Sequence, residues 1–146
     1  MIYTDLTKKA VNIMYKAHEG QRDKSGLPYV FHPWHVAESM KDEESTCTAL
    51  LHDVVEDTEI TLEDLKKEGM PQSVIDALSV LTHGKEMPYM DYIRELSSNR
   101  IARRVKLSDL AHNMDLSRLN EVTERDLERL KKYREAKEYL EKILND

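Results

Sequence analysis

The apolar positions of this chain recur at three-to-four spacing far more often than at two. Leu6, Ala10, Ile13, Met14 and Ala17 form one stripe, which predicts a first helix over about residues 4–18. "EGQRDKSGLPY" interrupts it: Gly20, Gly26 and Pro28 mark a loop. Pro33 suits a first helical position, so "HPWHVAESM" opens a short second helix. A third is expected over residues 44–55, with "CTALLHDVV" as its buried part. Thr61 with Asp64 reads as a capping box for "LEDLKKEG", and Pro71 starts "PQSVIDALSVLTH". "MPYMDYIRELSS" follows, Asn99 or Ser98 caps "RIARRVKLSDLAHNM", and a charged helix runs from about 123 to 143. The pattern shows neither a repeat nor a linker. It predicts an all-α fold: one irregular helical bundle spanning 1–146, not an up-down bundle, because the helices are short and uneven.

Composition narrows the class. A chain of 146 residues can build its own core, and 40% apolar with 34% charged residues is an ordinary soluble balance. The net charge of −6 disfavours general attraction to nucleic acid, so an anionic substrate would need a local counter-charge such as a metal. Cys47 is the single cysteine, which precludes an internal disulfide and suits a reducing cytoplasm. The N-terminus does not read as a signal peptide, and no stretch approaches a membrane span. These features predict a cytoplasmic protein without membrane or nucleic-acid partners and leave its oligomeric state open.

"LLHDVVEDT", Leu50 to Thr58, is where the apolar pattern meets chemistry. Read as the end of a helix, it places Glu56 four residues from His52 and three from Asp53, on their face. Such a cluster beside a core needs a cation, and the segment contains no lysine or arginine. A divalent metal would serve. His32, just before Pro33, and Asp109, between Leu107 and Leu110, complete a set of two imidazoles and two carboxylates with His52 and Asp53. That set suits Mn, Fe, Zn or Mg, with a water of lowered pKa able to attack phosphorus. Lys106 and Asn113 share a helix stripe with Asp109 and are candidate contacts for a phosphate and for a phosphate or sugar hydroxyl. Glu56 and Asp57 are candidates to orient the water or move its proton. Arg22 and Lys24 are further candidates for phosphate or base contacts.

Each group also has a plainer reading. His52 could be a hydrogen-bonded core residue, Asp53 could pair with an arginine, His32 could be an ordinary loop residue, and Asp109 could pair with Arg103 or Arg104. His18 and His83 read as structural. His35, one turn past His32, could lie behind the ligands, and His112 is expected to point away from the site.

Three segments carry a family resemblance: "AHEGQRDKSGLPYVFHP" (Ala17 to Pro33), "ALLHDVVEDT" (Ala49 to Thr58) and "VKLSDLAHNM" (Val105 to Met114), with "LTHGKEMPYMDYI" as a looser fourth. The chain resembles the HD-domain phosphohydrolases, most closely the RelA/SpoT-type (p)ppGpp hydrolase domain and its small stand-alone relatives. The resemblance implies one divalent ion, usually manganese, on His32, His52, Asp53 and Asp109. It implies a water-activating pair at Glu56 and Asp57, and a nucleotide contact at Asn113. The implied reaction removes the 3′-pyrophosphate of (p)ppGpp. Two positions depart from the family pattern: Asp23 stands where a basic residue is usual, and Leu116 where a threonine is common. The competing readings are a hydrolase of another nucleotide or phosphoester and a non-catalytic nucleotide sensor. A pyrophosphokinase activity is not expected, because the chain has no room for a synthetase domain.

Overall fold

A computed structural model describes residues 1–145. Nine α-helices are found among these residues: α1 (Asp5–Ala17), α2 (Phe31–Glu38), α3 (Glu43–Leu51), α4 (Val54–Asp57), α5 (Leu62–Lys67), α6 (Gln72–Leu81), α7 (Tyr89–Leu96), α8 (Arg100–Asn113) and α9 (Glu124–Asn145). A short 3-10 turn, Leu116–Arg118, joins the last two. The fold is all-α and irregular, and no helix among the described residues is long and apolar enough to cross a membrane.

The expected caps are in place. Thr61 and Asp64 form the capping box of α5, and Asn99 rather than Ser98 caps α8 by accepting from the Ala102 amide; Thr4, not singled out from the sequence, caps α1. Pro33 is the third residue of α2, not its first; it still lies in the first turn, where its missing N–H leaves no gap in the helix ladder.

Helix α3 is the centre of the bundle, packed against α1, α2, α6 and α8. Every residue from Ser45 to Leu51 is buried. Its hydroxyls tolerate this because they bond within the helix: Thr46 Oγ1 donates to the Asp42 carbonyl (2.7 Å) and Thr48 Oγ1 to that of Glu44 (2.8 Å). Cys47, also buried here, has its thiol pKa pushed up to about 12 by burial and by Glu43 and Glu44.

The expected 44–55 helix is broken. It stops at Leu51, turns through His52 and Asp53, and restarts as α4. A continuing helix would give the Ala49 carbonyl to the Asp53 amide. Here that carbonyl is held by His52 Nδ1 at 2.6 Å. The break sets His52 and Asp53 at the end of the central helix rather than along its flank.

The loop between α1 and α2 folds back as a small turn. The Tyr29 amide donates to the Gln21 carbonyl (2.9 Å) and the Asp23 amide to that of Leu27 (2.8 Å). Gly26, at φ +87°, supplies the left-handed step this reversal needs. Asp23 Oδ1 accepts from the Ser25 amide, the Ser25 hydroxyl and the Leu27 amide, at 2.8–2.9 Å. Burial would raise its pKa, but these bonds and Arg118 hold it below the usual value.

Helix α8 carries Asp109 on its buried face with Ala102, Val105 and Leu110, so its N-cap bears on the site indirectly. Asn99→Ala is expected to cost about 1 kcal/mol of unfolding free energy in urea denaturation. An unchanged midpoint and slope would show that the cap contributes nothing.

Candidate metal centre

Three segments meet at the end of α3. His32 comes from the first turn of α2, His52 from the break after α3, and Asp109 from the middle of α8. One ligand atom from each lies within 4.8 Å of the others, and all three residues are buried. His32 Nε2 is 2.8 Å from Asp109 Oδ1, and His52 Nε2 is 3.4 Å from the same oxygen. Asp53 joins them: its Oδ2 is 3.0 Å from His52 Nε2 and 3.8 Å from His32 Nε2.

The donor set fits a divalent cation. A carbonyl only accepts, so the proton of neutral His52 sits on Nδ1, against Ala49. Nε2 is then a bare lone pair, buried and facing two carboxylate oxygens. No oxygen is aligned to form a hydrogen bond with it. Burial alone would lower the His52 pKa, yet Asp53 and Asp109 outweigh it and push it well above the usual value. The site therefore draws positive charge to a nitrogen with no aligned acceptor. An ion placed among two nitrogens and the facing oxygens meets that demand. His32, His52 and Asp109 form a divalent-metal-binding site.

The surrounding groups hold these side chains. Lys106 Nζ lies 2.9 Å from Asp109 Oδ2, and Asn113 Nδ2 donates to Asp109 Oδ1 at 3.1 Å. Burial would strip the Lys106 proton, but Asp109 and the nearby tyrosines keep its pKa well above normal. Burial likewise opposes ionisation of Asp109, and Lys106 with the two histidines overcomes it, holding its pKa well below normal. Both residues expected to face substrate are thus engaged with Asp109. Asn113 also lines the adjoining cavity.

Two residues were not anticipated from the sequence. The Tyr29 hydroxyl donates to Asp53 Oδ2 at 2.5 Å, and burial together with Asp53 raises its pKa. Tyr29 lies three residues before His32 within the quoted "LPYVFHP" segment, but no spacing rule marks it. His112 does not point away as expected: its Nδ1 lies 2.7 Å from His32 Nδ1. Burial, then His32, Arg118 and His35, push its pKa down to about 4. His35 packs on His112 with ring centroids 4.2 Å apart. His18 hydrogen-bonds Gln21 through Nδ1, and His83 contacts the Met87 carbonyl, both consistent with structural roles.

Glu56 and Asp57 lie on α4, exposed beside the ligands. Glu56 Oε1 accepts from the His83 amide at 2.8 Å, which ties α4 to the end of α6. His52 and Asp53, which separate α4 from α3, both keep right-handed helical dihedrals. Asp57 is raised from 3.8 to about 6 by burial, then by Asp53 and Glu56.

A cavity of about 330 Å³ opens beside His32 and is lined by Arg22, Lys24, Arg118 and Arg129 among others. Arg22 donates to the Gly26 carbonyl (2.8 Å), while Lys24 and Arg129 both approach Asp126 Oδ1 (3.3 and 3.6 Å). Asp23 and Leu116 are also in its wall.

The Asp57 shift has a readable consequence in metal-free protein. A carboxyl whose pKa is raised on folding binds its proton more tightly when folded. The contribution of Asp57 to stability therefore falls as pH rises from about 3.8 to about 6 and levels off above. Asp57→Asn is expected to remove this decline in urea unfolding with chelator at pH 4 and pH 7.5. Identical pH dependence in both proteins would refute the assigned repulsion.

Comparison with known proteins agrees with this geometry. A family model described as an HD domain matches residues 10–110, more than half of the chain. A Streptomyces coelicolor protein named GTP pyrophosphokinase is 33% identical over 146 residues, covering 92% of this chain and 16% of its own length. A guanosine-3′,5′-bis(diphosphate) 3′-pyrophosphohydrolase from Haemophilus influenzae is 39% identical over 112 residues, covering 67% of this chain and 16% of its own. The chain thus spans less than a fifth of these relatives. A solved structure described as a metazoan ortholog of SpoT that hydrolyzes ppGpp superposes with a TM-score of 0.74 at 25% identity, covering 94% of this chain and 85% of that one. The chain belongs to the HD-domain family and is related to the (p)ppGpp hydrolases.

Proposed function

We propose that this protein is a manganese-dependent (p)ppGpp 3′-pyrophosphohydrolase, with His32, His52, Asp53 and Asp109 as ligands. The observation that carries this reading is the convergence of two imidazoles and two carboxylates beside a cavity with four cationic side chains. The relatives' names and the SpoT-like superposition support the guanine nucleotide as substrate.

A divalent ion bound here supplies Lewis acidity, polarising a phosphoryl oxygen and acidifying a water. The protein's own groups do the rest. Asp53 and Asp109 contribute two negative charges and Lys106 one positive charge, so the loaded site carries one excess positive charge and attracts phosphate. Glu56, held by the His83 amide, and Asp57 orient the attacking water and take its proton. The bond from phosphorus to the ribose 3′-oxygen breaks, releasing pyrophosphate and leaving a 3′-hydroxyl. Lys106 and Asn113 keep Asp109 oriented, and Asn113 faces the nucleotide. Arg22 and Lys24, at the outer wall, meet phosphate or base.

A second reading has a specific observation behind it. Asp23 is consumed in building its turn and Leu116 is apolar, so neither offers the contact that the family pattern places there. That favours a different nucleotide or phosphoester on the same machinery, and a substrate panel separates the two.

Incubation with ppGpp and manganese should yield GDP and pyrophosphate; no product above a metal-free control overturns the specific form. Glu56→Gln should lower kcat by about 10²–10⁴-fold with manganese affinity unchanged. Slow turnover that ignores this substitution would identify a nucleotide sensor instead. Manganese at a hundred times its Kd should add about 2.7 kcal/mol to the unfolding free energy. Asp53→Ala should abolish that gain, and a variant that binds manganese as tightly as wild type overturns its assignment as a ligand.

A further inference from the structure

We propose that His112 is a positioning residue for the metal centre: a neutral imidazole that accepts the His32 Nδ1 proton and so aims His32 Nε2 at the ion. The proposal rests on His32 being a ligand and adds a role for a residue outside the ligand set.

The geometry is specific. The two Nδ1 atoms are 2.7 Å apart while the ring centroids are 4.9 Å apart, with the planes inclined by 19°. The rings therefore meet nitrogen to nitrogen in nearly one plane, as a hydrogen bond requires, rather than face to face. His32 Nε2 lies on the opposite side of its ring, against Asp109 Oδ1 at 2.8 Å. When Nε2 gives its lone pair to a cation, the His32 proton must sit on Nδ1. His112 Nδ1 is then the acceptor, and its own proton is placed on Nε2.

A metal-bound histidine usually donates its second N–H to a carboxylate, a backbone carbonyl or a water. Here an imidazole takes that place, and the choice has an electrostatic consequence. The site already holds Asp53 and Asp109, and a third carboxylate behind His32 would add charge needing compensation. A neutral ring fixes the tautomer without it. His112 is itself held from two sides: His35 packs on its ring, and its carbonyl accepts from Arg118 Nε at 3.2 Å.

Three proteins and one spectrum test this. His112→Leu removes the acceptor at similar bulk and should weaken manganese affinity by about 10–100-fold in chelator competition. His112→Asn keeps an acceptor oxygen near the lost Nδ1 and should recover most of that affinity, which a purely space-filling role would not require. In zinc-loaded wild-type protein, nitrogen-15 NMR should find His32 protonated on Nδ1 and His112 on Nε2. Wild-type affinity in the leucine variant, an asparagine variant as weak as the leucine one, or a proton on His112 Nδ1 would each overturn the proposal. The spectrum decides even if the leucine variant fails to fold. His32→Ala separates the two levels: if it binds manganese like wild type, His32 is not a ligand and both readings fall. If it loses the metal while His112→Leu does not, only the role of His112 falls.

Discussion

The structure turns on one nitrogen lone pair. His52 spends its Nδ1 proton on the carbonyl of Ala49, which leaves Nε2 buried and bare in front of Asp53 and Asp109. Without a metal ion the two carboxylates depend on Lys106 and on protonation of His52 for compensation. With one, the same atoms become a binding site. The same hydrogen bond lies at the end of the central helix, where the chain turns and brings Asp53 beside His52.

Much of this was legible in the sequence, and for a simple reason. Apolar spacing and capping residues act locally, so the stripe from Leu6 to Ala17, the Thr61–Asp64 box and the Asn99 cap mark helices found within one or two residues of their expected ends. The site was legible because buried charge is conspicuous: "LLHDVVEDT" has no internal cation, and Asp109 interrupts an otherwise apolar face. What stayed hidden depends on contacts between distant segments or on side chains competing with the backbone. Periodicity runs straight through His52, because nothing in the spacing says that its ring will displace an amide. His112 sits 80 residues from His32, and no local rule predicts that their rings meet. Lys106 and Asn113 were placed correctly on one stripe with Asp109, but the spacing could not reveal that both turn towards it.

The cavity illustrates how one substitution propagates. Asp23 anchors its loop with three hydrogen bonds and faces Arg118 across the opening (3.9 Å). A carboxylate at this position stabilises the turn and offsets a cation of the wall. Lys24 and Arg129 are similarly drawn to Asp126, which also caps the start of α9 through Thr123. Much of the cavity's cationic lining is therefore held by internal carboxylates. Under the proposed function this wall would set substrate choice and the end of α3 the metal chemistry, so the two could vary separately.

The central claim is that one cation is shared by side chains from three segments. Pulsed electron paramagnetic resonance of manganese-loaded protein addresses it directly, because coordinated imidazole nitrogens couple to the electron spin. The account predicts one tightly bound ion per chain with two histidine nitrogens in its coordination sphere, one of them lost in His52→Ala. A spectrum without nitrogen coupling, or one that His52→Ala leaves unchanged, would contradict it.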